Sequence, residues 1–301
     1  VVCRMPRRMV QRFLEEALHI DISLGSTQKA WEQASAAVET PCEQLREDLK
    51  NQPVVNGDET GHRTNAEKRW LWVMVARTYV VYMIATSRKA EVLIALLGKA
   101  FNGIIGSDRC PSYAKYHKGK LQYCWAHFKR NILGALELAK TTEAERFCRD
   151  ALALHARLFR LWHRFRGNAH VPGTPITRLQ LRMKSIPIEK KFFALAERHL
   201  DSPDSQVANL AYALFVNFDN FFTFIDSDGV EPTNNSAERA LRHAVIWRKI
   251  MFGNRSEAGE VAVARLLTIA ATCKMQQRDA LAYITSAIRC HRRGENPPSL
   301  L

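Results

Sequence analysis

Apolar residues near the start of the chain recur at helical spacing. Val10, Phe13, Leu14 and Leu18 fall on one face, and a second apolar pattern runs from Ala30 toward Leu49. Between them, Ser23-Leu-Gly-Ser-Thr predicts a tight turn, with Ser26 or Thr27 placed to cap the next helix. Two helices joined in this way fit an ordinary helical hairpin better than a DNA-binding helix-turn-helix. The texture changes at Pro53. Val54 to Asp58 predicts a short strand ending in acids, with a loop after it. Arg69 to Ala76 and Tyr79 to Ala85, rich in Trp, Val, Tyr and Ile, predict two stronger strands joined across Arg77-Thr78.

Ser87 to Leu97 then has the pattern of a capped amphipathic helix. Gly103 to Asp108 is another brief buried strand that ends on an acid. A small helix around Tyr113 and a strand at Leu121 to Cys124 follow. Three strands in antiparallel succession, then two reached by helical crossovers, make an α/β fold with a ribonuclease H-like mixed five-stranded sheet. From Ala126 to Phe224 the period is helical, interrupted around Gly167 to Pro175, so a large all-helical insertion is expected. Gly229-Val-Glu-Pro-Thr-Asn-Asn launches another helix at about Asn235, and helices over Glu257 to Lys274 and Arg278 to Arg289 close the chain. The expected organisation is an N-terminal helical region (1–52), the first part of the sheet domain (53–125), the insertion (126–228), and the remainder of the sheet domain (229–301).

Composition narrows the partners. Hydrophobic residues make up 47% of the 301, enough for a substantial core. The net charge of +14 is spread along the chain, which suits a folded surface facing a polyanion such as nucleic acid. The opening Val-Val-Cys-Arg-Met-Pro lacks the apolar run of a signal peptide or membrane span. The chain therefore reads as a soluble intracellular fragment of something longer, with no membrane partner. The seven cysteines, Cys3, Cys42, Cys110, Cys124, Cys148, Cys273 and Cys290, are odd in number and include no C-x-x-C pair. They read as mostly buried small hydrophobes rather than a disulfide framework or four-cysteine zinc site.

Three acids stand out. Asp58 and Asp108 each end a short buried strand, and parallel neighbours could set them side by side. Strand-ending acids that cap the following turns would look the same. Glu238 could complete a capping box with Asn235, or pair with Arg242 one turn on. Neither role requires the basic surroundings of Arg239, Arg242, His243, Arg248, Lys249 and Arg255, which a phosphate-binding helix does. Glu59 competes with Asp58, but adjacent strand residues face opposite sides, so only one can enter a given site. Cys124 and His127 share a helix start with no further metal ligands beside them, which favours packing and hydrogen bonding over zinc. Trp70, Trp72 and Trp125 read as core aromatics.

The blocks Asp58-Glu-Thr-Gly, Ser107-Asp-Arg, Cys124-Trp-Ala-His-Phe-Lys-Arg, Glu231-Pro-Thr-Asn-Asn-Ser-Ala-Glu-Arg-Ala-Leu-Arg and Trp247-Arg-Lys-Ile-Met-Phe-Gly-Asn-Arg-Ser-Glu-Ala-Gly resemble, in that order, the insertion-sequence 66 family of bacterial transposases. The likeness spans roughly 55–275, with a weaker helical likeness back toward residue 5. It implies a ribonuclease H-like catalytic core whose Asp-Asp-Glu triad is Asp58, Asp108 and Glu238, both catalytic and metal-binding. It selects Asp58 over Glu59, and departs from the family's usual apolar or aromatic residue near His62. The expected cofactor is Mg²⁺, with Mn²⁺ possible. The expected reaction is hydrolysis at transposon ends followed by strand transfer, on double-stranded DNA, by a homo-oligomer in the bacterial cytoplasm at the nucleoid. Lys129, Arg130, Arg239, Arg242, Arg248, Lys249 and Arg255 are the candidate phosphate contacts. A remnant that binds DNA without cutting it, and a nuclease or resolvase on the same fold, are the alternatives.

Overall fold

The computed structural model describes residues 5–168, 170, 173–251 and 253–301. Cys3, Phe252 of the Trp247 block and part of the loop around Gly167 to Pro175 lie outside the described residues. The chain forms two units, one of Val1–Gly119 with Asn234–Leu301 and one of Lys120–Thr233.

The first unit opens with α1 (Arg7–Leu18), α2 (Leu24–Ala37) and α3 (Glu39–Leu49). The cap of α2 is Ser23, earlier than the sequence reading placed it: its hydroxyl accepts from the Ser26 amide at 3.0 Å. The Thr27 hydroxyl instead donates to the Leu24 carbonyl. The single apolar pattern expected from Ala30 to Leu49 is broken at Val38, because Pro41 has no amide to donate. Restarting the helix at Glu39 puts Pro41 in a first turn, where no intrahelical partner is needed.

β1 (Val54–Thr64), β2 (Glu67–Val75) and β3 (Val80–Ala85) form an antiparallel meander. β1 is much longer than expected. Asn65 and Ala66 adopt positive φ (52° and 65°), so they make a two-residue turn that continues the pairing to Thr64 opposite Glu67. Alanine rarely takes this conformation, so the turn was not visible in the residue types. The segment after Asp58 is therefore strand, not loop. After α4 (Ala90–Leu97), β4 (Ile104–Ser107) returns parallel to β1, and α5 (Pro111–Tyr116) follows.

The second unit begins with β5 (Leu121–Tyr123) and continues through α6 (Trp125–Leu138), α7 (Thr142–Phe165), α8 (Arg178–Arg198), α9 (Ser205–Val216) and α10 (Phe218–Asp226). Trp125, fully buried, sits among Phe128, Phe192, Phe221 and Phe222, and its indole N–H donates to the Phe221 carbonyl at 2.6 Å. Gln122 accepts from the Phe224 amide at 2.8 Å. The insertion thus has an aromatic core of its own.

α11 (Asn235–Met251), α12 (Glu257–Met275) and α13 (Ala280–Arg293) complete the first unit. Leu71, Val73 and Val75 of β2, with Val80 and Tyr82 of β3, pack against Ala237, Leu241, Ala244 and Trp247 of α11 and Val263 and Leu267 of α12. These are alternate positions on the strands and one stripe on each helix, and the opposite strand face is buried as well, at Trp72, Met74 and Val81. The strand order is β3-β2-β1-β4-β5, the ribonuclease H-like arrangement. At its β3 end, two threonines one turn apart on α12 meet the strand backbone. Thr272 accepts from the Val80 amide at 3.1 Å, and Thr268 from the Tyr82 amide at 3.0 Å.

Trp72 is buried, whereas Trp70 is only partly so and lies against the cations of Lys68 and Arg88. Of the six described cysteines, all free, Cys110, Cys124, Cys148 and Cys273 are buried. No helix among the described residues is long and apolar enough to cross a membrane.

Candidate active site

The strand register sets the first two acids. Val54 stands opposite Ile104, and Asn56 opposite Gly106, in the parallel β1–β4 pair. The same offset carried forward puts Asp58 level with Asp108, each at the point where its chain leaves the shared ladder. Gly57, just before Asp58, has no room for a side chain: a Cβ there would lie 2.9 Å from the Tyr113 ring and 3.0 Å from the Met74 sulfur.

Glu238 arrives from the other end of the sequence. The Asn234 side-chain amide donates to the Gly57 carbonyl at 2.7 Å, which fixes the start of α11 against β1 beside Asp58. The Glu238 amide bonds to the Asn234 carbonyl, so Glu238 stands on the first helical turn. The helix starts at Asn235 itself, one residue earlier than a cap at Asn235 would allow. The anchoring role of Asn234 was not drawn from the Glu231 block, though the residue is part of it.

Asp58 feels the charge of the other two acids. Burial first, then the charges of Glu59, Asp108 and Glu238, push the Asp58 carboxyl up to about 7, against a hydrogen bond from the Glu59 amide that favours ionisation. Carboxylates are hard oxygen donors, and a divalent cation would relieve the repulsion felt at Asp58, so the chemistry of these side chains fits Mg²⁺ or Mn²⁺.

Glu59 faces away. It lies opposite Trp72 in the ladder, on the other side of the sheet from Asp58 and Val73. One of its oxygens accepts from Arg88 at 2.6 Å and the other from the Tyr113 hydroxyl at 2.7 Å. Burial, then Glu59 itself, hold the Tyr113 hydroxyl well above its usual titration range, so it remains a donor. The Asp108 carboxylate and Cys110 thiol come within 4.8 Å of Glu59, but both Glu59 oxygens are engaged, and burial pushes the thiol's proton loss upward. Arg88 and Tyr113 were not singled out in the sequence, where nothing links them to Glu59.

The cations divide. Arg239, Arg242 and Lys249 are exposed on α11, on the side that carries Glu238, and Arg255 is exposed beyond the helix. Arg248 falls on the packed side and turns inward, 3.5 Å from the Thr60 hydroxyl. Lys129 and Arg130 are exposed on α6 of the second unit, where Cys124 caps the helix and His127 lies on its first turn.

His62 shares the strand face of Asp58 and Thr60 and is only 2% exposed, with no hydrogen-bond partner on either ring nitrogen among the described residues. Burial, helped by Arg248, lowers its pKa to about 4 and keeps it neutral at pH 7. An apolar side chain suits this slot better. His62→Leu is expected to raise unfolding free energy by about 1–2 kcal/mol by removing an unsatisfied buried group. Denaturant titration at pH 7 checks this, and a loss of stability would mean that the imidazole has a partner.

A family model described as "Transposase IS66 family" matches residues 4–262. Two curated relatives from Sinorhizobium fredii, both uncharacterised, are y4qI (27% identical, over 73% of this chain and 43% of the relative) and y4hP (24%, over 55% and 31%). The chain thus spans less than half the length of the relatives it matches. Among solved structures, the HTLV-2 integrase catalytic core domain in complex with magnesium is 17% identical over 55% of this chain and 86% of that one, with a TM-score of 0.17. The catalytic domain of Mos1 mariner transposase is 15% identical over 63% and 90%, also with a TM-score of 0.17. Scores this low leave the strand order and register to define the fold.

Proposed function

Because the chain belongs to the IS66 family of transposases, we propose that its first unit is the catalytic core of a DNA transposase. Asp58, Asp108 and Glu238 are its working acids. The observation that carries this reading is the Asp58 carboxyl, raised to about 7 by burial and by the charges of acids that include Asp108 and Glu238. Asp108 also caps its own turn, accepting from the Cys110 amide at 2.8 Å, but turn-capping alone would not make Asp58 feel these charges.

The three carboxylates would hold Mg²⁺, with Mn²⁺ as an acceptable substitute. When bound, the metal supplies activation of an oxygen nucleophile and stabilisation of charge on the leaving oxygen. The side chains do the rest. Asp58 must give up its proton to serve as a ligand, so metal affinity should rise as pH passes through about 7. Arg88 and Tyr113 hold Glu59 out of the donor set. Arg239, Arg242 and Lys249, exposed beside Glu238, are placed for phosphates of double-stranded DNA, with Arg255, Lys129 and Arg130 as further contacts. Arg248 has a packing role first. The reaction proposed is hydrolysis at a transposon end, then attack of the freed 3′ hydroxyl on a target phosphodiester, which joins that end to the target 5′ phosphate and releases the target's own 3′ hydroxyl, by a homo-oligomer that joins two ends.

The test is to incubate the chain and Mn²⁺ or Mg²⁺ with labelled duplexes carrying the ends of the insertion element, plus target plasmid. Nicked ends and end–plasmid joints are the expected products. Hydrolysis without joining would make the protein a nuclease. Binding with neither product would leave a DNA-binding remnant, and the transposase reading would be abandoned.

A further inference from the structure

The second unit carries a basic groove that the carboxylate site does not use. It lies between α7 and α8, has a volume of about 200 Å³, and is lined by Arg157, Arg160, Leu161, Arg164, Lys184 and Ile188. Leu161 and Ile188 are buried, so they give it an apolar floor along which the long cationic stems can lie. Among the described residues no carboxylate lines it. The chain has no aspartate or glutamate anywhere between Asp150 and Glu189, which spans most of both walls.

The cations here differ from several other arginines of the same helices. Arg146 pairs with Asp150, Arg149 with Glu145, and Arg182 with Glu189. Arg157, Arg160 and Lys184 are exposed and have no ion pair or side-chain hydrogen bond among the described residues. Arg164 is steadied from behind by the Thr174 carbonyl at 3.3 Å. Unpaired like charges on facing walls repel one another, a cost that a polyanion in the groove would remove.

Their spacing fits a repeating anion. Arg157, Arg160 and Arg164 lie on successive turns of one helix face, and the first and last are about 10 Å apart along its axis. That is the axial rise of about three nucleotides along one strand of duplex DNA. We infer that the α7–α8 groove is a docking site for the phosphate backbone of duplex DNA, separate from the phosphate contacts proposed on α6 and α11. This rests on the reading of the protein as a DNA transposase.

The test measures binding of the full chain to a short mixed-sequence duplex by fluorescence anisotropy across a salt series. The triple variant Arg157→Gln, Arg160→Gln, Lys184→Gln should weaken binding roughly 10- to 100-fold at low salt. It should also reduce the slope of log affinity against log salt by about 2–3, since each phosphate contact contributes about 0.9. Arg157→Lys with Arg160→Lys retains the charge and should retain the slope. Arg146→Gln with Arg149→Gln, which removes cations already paired, should leave it nearly unchanged. If the parent protein binds DNA and the triple variant, folded by circular dichroism, keeps the full slope, the groove assignment is wrong and the transposase reading stands. If the parent shows no salt-dependent binding to duplex DNA, the transposase reading falls and the groove assignment with it. Tighter binding of duplex RNA, with the same sensitivity to the triple variant, would assign the groove to RNA and overturn the proposal.

Discussion

Asp58→Asn should cut metal-dependent DNA cleavage by at least about a thousandfold, the scale lost when one member of an interdependent catalytic set is removed. The same substitution should make the metal-free protein more stable at neutral and higher pH. In the unfolded chain Asp58 ionises near 3.8, whereas in the folded protein it holds its proton to about 7. Between those values the folded state binds more protons than the unfolded state, so this group lowers stability as pH rises from about 4 to 7. The full effect, discounted for the partial exposure of the side chain, is about 2–3 kcal/mol above pH 7. His62 acts in the opposite direction. Its folded value of about 4 lies below the usual 6.5, so it adds stability as pH rises through that interval. The informative quantity is therefore the difference between the parent and Asp58→Asn, from denaturant titrations in EDTA at pH 4 and pH 8. That difference should grow in favour of the variant with pH. Added Mn²⁺ should stabilise the parent and much less the variant, because binding to the folded state alone raises its stability. Equal stabilisation by Mn²⁺ in the two proteins would remove Asp58 from the metal site. Asp108→Asn and Glu238→Gln should share the loss of cleavage.

Arg88→Ala is the second large effect, and it acts on folding. The Glu59 side chain is completely buried and its charge is answered by Arg88 at 2.6 Å. Removing one member of a buried pair typically costs about 3–5 kcal/mol, because the other charge is left without a partner. Arg88 is itself 43% exposed, so water can partly replace it, and a loss of about 2–3 kcal/mol is expected. Combining Arg88→Ala with Glu59→Gln should recover most of the loss, since the neutral amide needs no counter-charge and can still meet the Tyr113 hydroxyl. A double variant no more stable than Arg88→Ala would show that Arg88 acts through its packing on Trp70 instead.

The order of strands and helices was legible because the residue pattern records which face is buried. The runs of Trp, Val, Tyr and Ile in β2 and β3, and the helical segments at α11 and α12, needed little beyond period and residue type. The length of β1 was not legible. It depends on Asn65 and Ala66 at positive φ, and an alanine there carries no turn signal. The break at Val38 could have been found from Pro41, whose missing amide was written in the sequence. At the site, Asp58, Asp108 and Glu238 were singled out as acids at element ends and by resemblance to a family. The strand alternation that separates Asp58 from Glu59 was also readable. What holds Glu59 was not, because Arg88 and Tyr113 reach it from segments far along the chain, and only the folded backbone brings them together. Arg248 looked like its neighbours Arg242 and Lys249, yet its position on the packed side of α11 turns it toward Thr60.

The threonine pair on α12 has a consequence for how copies of this protein can meet. The outer strand of a sheet offers free amides and carbonyls to any extended chain, the usual route to strand addition and aggregation. Along β3 those amides at Val80 and Tyr82 are already taken by Thr272 and Thr268, and the Thr272 hydroxyl also reaches the Val80 carbonyl at 3.2 Å. A second molecule therefore finds these two amides unavailable for strand pairing. Copies that meet at Val80 and Tyr82 would have to do so through side-chain surfaces, whose fit can be selected, rather than through backbone pairing, which accepts almost any sequence.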